Sequence, residues 1–323
     1  MKDDLVIIKA DGGIASQIQF LCLGLAFEQK GYKVKYDLTW FETDGKGFYN
    51  QEKSYDDSYD ITWDIPKAFP QIQYEVASKD EIKRYKRKYF IDDENVIEKK
   101  PPLYIGGYLG RYQVAQFRKY LIEHFNPIGL KQNAQEILTQ MRNTPSCAVH
   151  IRRGDLSNFN PIYGEPTSIA YFTKSIQLIE NILYPPPPKP ITFFLFSDDI
   201  SWVRKNLSPQ MSDKKYVICD MHNPSQGYLD LYLVANTKCI ISSQGSMAHC
   251  AKWLNPQSLL ITPKFDKYLF AFDDNCYLAS YGIDKIKTQF NNNKCQKIKL
   301  RYKIYLYFYR ILRNKLLGKG LVQ

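Results

Sequence analysis

The sequence lacks the local signatures of several common chemistries. No Asp-x-Asp occurs in it, its four histidines have neither His-x-x-x-His nor His-x-x-Glu-His spacing, and no Gly-x-Ser-x-Gly or Gly-Lys-Ser/Thr segment is present. These absences argue against a zinc hydrolase, a hydrolase of the nucleophile-elbow type and a P-loop nucleotidase. We therefore expect no bound metal and no cofactor.

Regular cysteine spacing and long apolar runs are missing as well. The seven cysteines include no Cys-x-x-Cys pair, which is typical of reduced, buried thiols and a cytoplasmic protein. No stretch approaches the ~18–20 apolar residues that a membrane span needs. The start, Met-Lys-Asp-Asp, places acids before a short apolar run, unlike a signal peptide. We expect neither a secreted nor an integral membrane protein.

Acidic residues are absent from the C-terminal end of the chain. Residues 285–323 hold 11 Lys and Arg and no Asp or Glu, so the first 284 residues, with 33 basic and 33 acidic residues, are neutral. A neutral body argues against a nucleic-acid partner. The tail can be wound as a partly amphipathic helix. It is predicted either to contact anionic lipid on the inner face of the plasma membrane or to pack across the N-terminal domain.

Short apolar runs alternate with helical patterns on both sides of residue 145. Leu5–Lys9 predicts a strand, and apolar residues at helical spacing follow from Ile14. A second series begins at Ser146, with predicted strands at 147–151, 191–196, 216–219, 239–242 and 258–262. The pattern predicts an α/β fold with two Rossmann-like, doubly wound domains facing a cleft. The predicted boundaries are 1–143, 144–284 and, for the basic tail, 285–323.

The segment His-Ile-Arg-Arg-Gly-Asp at 150–155 directly follows a predicted strand. Open α/β sheets bind ligands outside the carboxyl ends of their strands, and the arginine fork of N–H donors matches phosphate oxygens. The segment therefore predicts an anion site. The alternative is a structural pair in which Asp155 anchors Arg152 or Arg153.

Two further segments combine small residues with the start of a helix. Asp-Gly-Gly-Ile-Ala-Ser-Gln at 11–17 and Ser-Ser-Gln-Gly-Ser at 242–246 each follow a predicted strand. Backbone N–H groups and the positive end of a helix dipole can bind phosphate or sugar oxygens at such positions. An ordinary strand–helix turn, or N-capping by a single serine, explains the same segments without a ligand.

The segment Phe-Leu-Phe-Ser-Asp-Asp at 194–199 ends a predicted strand in two carboxylates. A carboxylate can accept two parallel hydrogen bonds from the N1–H and the amine of guanine. The alternative is N-capping, by Ser197 or Asp198, of a helix that begins near Ile200, and the two acids could divide these roles. His249, within the helix after the serine segment, is predicted to be a packed residue rather than a catalyst.

Taken in order, these segments resemble the bacterial α-1,2-fucosyltransferases of glycosyltransferase family 11, and more distantly the α-1,6- and protein O-fucosyltransferases. The resemblance covers about residues 5–265 and is most specific at 150–155, which is similar to the family's H-x-R-R-x-D motif. Two departures stand out. Ala15 and Ser16 replace Gly-Asn of the N-terminal motif, and the segment 246–250 lacks the family's paired tryptophans.

The resemblance implies a GT-B architecture, a GDP-fucose donor, and metal-independent transfer with inversion. It also implies a galactose-containing glycan acceptor, such as a lipid-linked O-antigen, and assigns the acceptor to the first domain and the nucleotide sugar to the second. The donor-binding residues implied are His150, Arg152, Arg153, Asp198, Asp199, Ser243, Gln244, Ser246, Gly12 and Gly13. Those implied on the acceptor side are Asp11, Ser16 and Gln17.

Catalysis is expected from Arg152 at the β-phosphate and from a base that takes the acceptor proton. The candidates for the base are Glu165, Asp155 and Asp11, with Glu165 ranked first because it lies in the loop after the arginine motif. Two alternatives to a fucosyltransferase remain open. One is a related glycosyltransferase with another nucleotide sugar, and the other is a non-catalytic nucleotide-binding protein at the membrane surface.

Overall fold

The computed structural model describes residues 4–47, 60–86, 89–91, 96–106, 115–154, 166–180, 190–263, 276–279 and 289–290. Contacts divide this part of the chain into two compact units: the described residues up to Asn126 form the first, and those from Pro127 onward form the second. Asp155 and Glu165 lie outside the described residues, as does the basic tail apart from 289–290.

The first unit contains a four-stranded parallel sheet in the order β2-β1-β4-β3. Its strands are β1 (Leu5–Lys9), β2 (Lys33–Asp37), β3 (Tyr89–Ile91) and β4 (Leu103–Gly106). Its helices are α1 (Ile14–Gln29), α2 (Thr39–Glu42), α3 (Ile65–Ala68), α4 (Lys79–Tyr85) and α5 (Arg118–His124). Every residue of β1 is buried, as expected for a β-branched run in a sheet that is covered on both faces.

Helix α1 packs closely on β2 through a glycine. A Cβ atom at Gly24 would lie 2.0 Å from the hydroxyl oxygen of Tyr36 and 2.9 Å from its Cζ atom. The Tyr36 ring is fully buried and its hydroxyl donates to the carbonyl oxygen of Leu21 at 3.5 Å. The glycine therefore makes the space into which the tyrosine packs.

The second unit contains a seven-stranded sheet in the order β11-β10-β9-β8-β5-β6-β7, and all of its neighbouring strands are parallel except β10 and β11. The strands are β5 (Ser146–Ile151), β6 (Thr192–Ser197), β7 (Tyr216–Ile218), β8 (Cys239–Ser242), β9 (Leu259–Pro263), β10 (Cys276–Ala279) and β11 (Gln289–Phe290). The helices are α6 (Gln132–Asn143), α7 (Ile169–Leu178), α8 (Ile200–Trp202), α9 (Gly227–Ala235) and α10 (Met247–Leu254).

The order of strands in the second sheet is that of a Rossmann fold. Counted in chain order from β5, the parallel strands lie as third, second, first, fourth, fifth and sixth from the β7 edge. The direction of the chain's progress reverses between β5 and β8, and ligands of such sheets bind outside the carboxyl ends of the strands at this point. The predicted α/β class is confirmed, and the strand order directs attention to the residues that follow β5 and β8.

The core of the second unit combines residues of the central strands, among them Val149, Leu195 and Ile241, with residues of the helices that cover them, such as Phe172 and Ile176. The five cysteines whose side chains are described are buried, which confirms the prediction of buried thiols for Cys22, Cys147, Cys219, Cys239 and Cys250. Within the described ranges, none of the helices combines the length and the apolarity that a membrane crossing requires.

Candidate active site

The ends of β5 and β8 are joined beyond the sheet by two hydrogen bonds. The backbone N–H of Ser243 donates to the carbonyl oxygen of His150 at 2.9 Å. The backbone N–H of Arg152 donates in turn to the hydroxyl oxygen of Ser243 at 2.8 Å. Ser243 is fully buried, so this contact fixes where the chain leaves β5 and where Arg152 begins.

The side chain of Arg152 packs against the backbone of Gly245. This glycine has a φ of +110°, and a Cβ atom on it would lie 3.1 Å from Nη1 and 3.3 Å from Cδ of Arg152. Only glycine adopts such a conformation readily, and any side chain would press on the arginine. Arg152 is therefore seated on the loop that follows β8, beside the start of α10.

Arg153 is held on the opposite side, by the loop that follows β6. Its backbone N–H donates to Oδ1 of Asp198 at 2.7 Å, and its Cζ atom lies over the ring of Trp202, 4.5 Å from the ring centroid. Asp199 is the N-cap of α8 and accepts a hydrogen bond from the backbone N–H of Trp202 at 2.8 Å. The two arginines therefore diverge, one toward β8 and one toward β6.

Helix capping after β6 differs in one detail from the expectation. Asp199, rather than Ser197 or Asp198, caps the helix. The hydroxyl of Ser197 instead accepts a hydrogen bond from the backbone N–H of Asp199 at 2.9 Å. The difference of one or two residues arises because the strand continues through Ser197, so that the helix can begin only at Ile200.

Gln244 connects the loop after β8 to the start of α7. Its side-chain oxygen accepts a hydrogen bond from the backbone N–H of Thr167 at 3.1 Å and another from the Thr167 hydroxyl. Both side chains are buried. Gln244 therefore joins the serine segment to the residue that precedes Ser168, the N-cap of α7. Ser246, half-buried, precedes α10 and makes no side-chain capping bond to it.

Two buried histidines lie near these loops. Burial, with a contribution from Arg152, lowers the pKa of His150 to about 3, and burial lowers the pKa of His249 to about 3 as well. Both imidazoles are therefore neutral at pH 7. His249 contacts the Thr262 hydroxyl at 2.8 Å, which confirms the prediction that it is a packed residue. Nδ1 of His150 has no hydrogen-bond partner within the described chain.

The glycine turn after β1 lies at the carboxyl edge of the first sheet. Gly12 has a φ of +74°. The amide of Gln17 serves the backbone: its nitrogen donates to the carbonyl oxygens of Gly12 at 2.9 Å and Thr62 at 2.8 Å, and its oxygen accepts from the N–H of Asp64 at 2.7 Å. Gln17 is buried and braces this turn, whereas Asp11 and Ser16 are half-buried and Gly13 is exposed.

The structure thus groups the described candidates into two sets. Most of them surround the switch point of the second sheet: His150, Arg152, Arg153, Asp198, Asp199, Ser243, Gln244 and Ser246. The remaining five, Asp11, Gly12, Gly13, Ser16 and Gln17, follow β1 in the first unit. Among the residues that the structure describes, no three His, Cys, Asp or Glu side chains form a group that could hold a metal ion.

Comparison with known proteins identifies the family. The sequence model described as glycosyl transferase family 11 matches residues 108–270, which is half of the chain and includes the whole switch-point set. The chain belongs to glycosyl transferase family 11. It is therefore a fucosyltransferase-like glycosyltransferase, and both units contain a predominantly parallel sheet, as expected for the α/β architecture of a GT-B enzyme.

One curated relative and two solved structures illustrate the similarity. An α-1,2-colitosyltransferase of Escherichia coli is 28% identical over 213 residues, which is 63% of this chain and 70% of the relative. The fucosyltransferase NodZ from Bradyrhizobium is 12% identical, with 79% of this chain and 94% of that one covered and a TM-score of 0.43. Arabidopsis thaliana FUT1, in complex with GDP, is 14% identical, with 81% and 70% covered and a TM-score of 0.44.

Three residues of the candidate site were not among the residues singled out from the sequence. They are Thr167, Trp202 and Gly245. Trp202 could have been found from its spacing, because it lies three positions after Asp199, where an N-cap side chain meets its backbone N–H. Gly245 could also have been noted, because a glycine among polar residues after a strand often adopts a positive φ, whereas the long-range contact of Thr167 has no local signal in the sequence.

Proposed function

We propose that the protein transfers L-fucose from GDP-fucose to a hydroxyl group, O2 of a β-galactoside in an O-antigen or similar glycan. Transfer inverts the configuration at the sugar carbon and needs no metal ion. The observation that carries this proposal is the seating of Arg152 at the switch point, between the Ser243 hydroxyl and the backbone of Gly245. A diphosphate bound there would meet a forked cation beside the first turn of α10.

The chemical step proposed is a direct displacement. The acceptor oxygen forms a bond to C1 of fucose while the bond from C1 to the β-phosphate oxygen breaks, and GDP leaves with the electron pair. Negative charge grows on the β-phosphate during this step. A hydrogen-bonding group that is already in place, such as the guanidinium of Arg152, therefore contributes about 3 kcal/mol to the stability of the transition state. The positive end of the α10 dipole acts in the same direction.

His150 has a limited part in this scheme. Because its pKa lies at about 3, the imidazole is neutral at pH 7, and it takes part by hydrogen bonding rather than by charge. The buried Nδ1 atom, which lacks a partner in the described residues, is an atom that a bound donor or its water could satisfy. The proton of the acceptor goes to a carboxylate, for which we propose Glu165 before Asp155 and Asp11.

The donor sugar has one specific alternative. The relative that is 28% identical is an α-1,2-colitosyltransferase, and colitose differs from fucose by the loss of one hydroxyl group. A GDP-linked dideoxy sugar would use the same phosphate contacts, because these involve the nucleotide and not the sugar. The second candidate function is therefore transfer of such a sugar through the same site.

The basic tail supports a proposal about location. Residues 285–323 hold 11 Lys and Arg and no acidic residue, and each basic residue near an anionic surface adds about 1 kcal/mol to binding. We propose that the tail brings the enzyme to the inner face of the plasma membrane, where a lipid-linked acceptor would be found. Removal of residues 296–323 should abolish sedimentation with anionic vesicles, and unchanged sedimentation would contradict the proposal.

The function is tested by product analysis. The purified chain is incubated with GDP-fucose and an array of galactose-terminated oligosaccharides, in parallel samples with EDTA and with a GDP-linked dideoxy sugar. We expect an α-linked product at O2 of galactose and an equal rate in EDTA. A product from the dideoxy donor alone would favour the second candidate. Thermal stabilisation by UDP or ADP but not by GDP would contradict both.

A further inference from the structure

Arg153, Asp198, Asp199 and Trp202 form a closed circuit at the carboxyl edge of the second sheet. Arg153 donates its backbone N–H to Asp198 at 2.7 Å. Asp199, the next residue, accepts the backbone N–H of Trp202 at 2.8 Å. The ring of Trp202 then returns to Arg153, whose Cζ atom lies 4.5 Å from the ring centroid. We call these four residues the Arg153 circuit.

The position of the indole in this circuit is fixed by the core of the second unit and by Asp199. Trp202 is half-buried and packs against the core of the second unit, and Asp199, which sets the position of its backbone, is buried. A guanidinium over a desolvated indole is attracted more strongly than one over an exposed ring. The N–H groups of a guanidinium lie in its plane and point outward from its edges. Stacking of the indole on one face therefore leaves the direction of these N–H groups unchanged.

We propose that Trp202 is a positioning residue of the donor site: it holds the guanidinium of Arg153 at the sheet edge in the orientation that binds the nucleotide portion of the donor. The inference rests on the proposed function. It also gives the two acids of the Ser-Asp-Asp segment a role other than reading guanine. One oxygen of Asp198 and one oxygen of Asp199 accept backbone N–H groups that build the circuit.

The chain offers a matched control in the same unit. Arg142 and Tyr232 form a second arginine–aromatic pair, with Cζ 6.0 Å from the ring centroid. Arg142 lies at the end of α6, before β5 begins, and so precedes the strand whose carboxyl end forms the site. Loss of this aromatic ring should change stability without changing donor binding.

The test measures GDP affinity by titration calorimetry and KM for GDP-fucose, KM for the acceptor and kcat by rate assay. For Trp202→Leu we expect GDP affinity to fall and donor KM to rise, each by about tenfold, with acceptor KM unchanged. Trp202→Phe, which keeps an aromatic face, should stay within about threefold of the wild type. Tyr232→Leu should bind GDP as the wild type does.

A double variant distinguishes an effect of Trp202 on the position of Arg153 from a general loss of structure. Trp202→Leu combined with Arg153→Gln should bind GDP no more weakly than Arg153→Gln alone, because the ring acts through that guanidinium. Wild-type affinity in Trp202→Leu, or independent effects in the double variant, would overturn the inference while leaving the proposed function intact. Failure of the wild-type protein to bind GDP would overturn both.

Discussion

The backbone N–H of Arg152 donates a hydrogen bond to the buried hydroxyl oxygen of Ser243 at 2.8 Å. The two residues are 91 positions apart and follow neighbouring parallel strands. The Ser243 hydroxyl itself donates to the carbonyl oxygen of Gln244 at 3.3 Å. The serine therefore supports the arginine, and we expect any effect of Ser243 on donor binding to act through the position of Arg152.

Replacement of this hydroxyl should affect both stability and donor binding. In Ser243→Ala the N–H of Arg152 loses its partner, which should lower the free energy of unfolding by about 1–3 kcal/mol. It should also raise the KM for GDP-fucose several-fold because Arg152 is no longer fixed. Urea denaturation and steady-state rates measure the two effects.

Ser258→Ala is the control for this substitution. The Ser258 hydroxyl is likewise placed in a hydrogen bond, to the carbonyl oxygen of Asn255 at 2.8 Å, but it precedes β9 rather than following a strand at the site. We expect a comparable loss of stability and an unchanged KM. Equal KM values for the Ser243 and Ser258 variants would contradict the supporting role of Ser243.

Gly245→Ala should weaken donor binding through the same arginine. An alanine at φ +110° is strained, and its Cβ atom would press on Nη1 of Arg152 at 3.1 Å. We expect a loss of stability of about 1–3 kcal/mol and a rise of about tenfold in donor KM. Gly31→Ala distinguishes backbone strain from the contact with Arg152, because Gly31 has a φ of +82° but open space around it. Gly31→Ala should therefore lower stability without changing the donor KM. An equal rise in donor KM in the Gly31 and Gly245 variants would show that the contact with Arg152 is not the cause.

Gly24→Ala tests the packing of the first unit. The added methyl group would overlap the hydroxyl oxygen of Tyr36, 2.0 Å away, and a packed core transmits such a change as strain of about 1–3 kcal/mol. Urea denaturation should show this loss. The double variant Gly24→Ala, Tyr36→Leu should recover part of it relative to the sum of the single changes, since the clash is gone. Purely additive effects would show that the two residues do not oppose each other.

The buried histidines predict acid sensitivity. The pKa values of His150 and His249 are lowered to about 3 in the folded chain, against about 6.5 when unfolded. Between these values the unfolded chain binds protons that the folded chain does not, so stability falls as pH falls. Each histidine contributes about 1 kcal/mol per pH unit below pH 6. His249→Gln should flatten the dependence of urea midpoint on pH between 6 and 5, and an unchanged slope would contradict the assignment.

Much of the local structure could be predicted from the sequence, because it depends on patterns of a few residues. The β-branched run at Leu5–Lys9 is a strand with those bounds, and Cys239–Ser242 is another. The strand β3, Tyr89–Ile91, was missed because it is only three residues long and lies between charged segments. Strand order could not be predicted either, since it depends on pairing between distant segments.

The candidate site likewise has features that could be predicted from local sequence and features that could not. The arginine, carboxylate and serine segments were all placed at strand ends, and those ends are neighbours in the sheet. The partners of each residue were not predictable, because they join positions far apart in the chain: Ser243 with Arg152, Gln244 with Thr167, and Trp202 with Arg153. Local sequence therefore indicated which segments meet at the sheet edge, and the tertiary structure determines which contacts each residue makes.

In the proposed mechanism, Arg152 stabilises the leaving diphosphate of GDP-fucose. The most direct test compares kcat/KM for GDP-fucose in the wild type, Arg152→Lys and Arg152→Ala, with thermal unfolding to show that each variant is folded. We expect the alanine variant to lose about 100- to 1000-fold, and the lysine variant to recover little of it because an ammonium lacks the planar fork of donors. Transfer at a near wild-type rate by folded Arg152→Ala would contradict this role of Arg152.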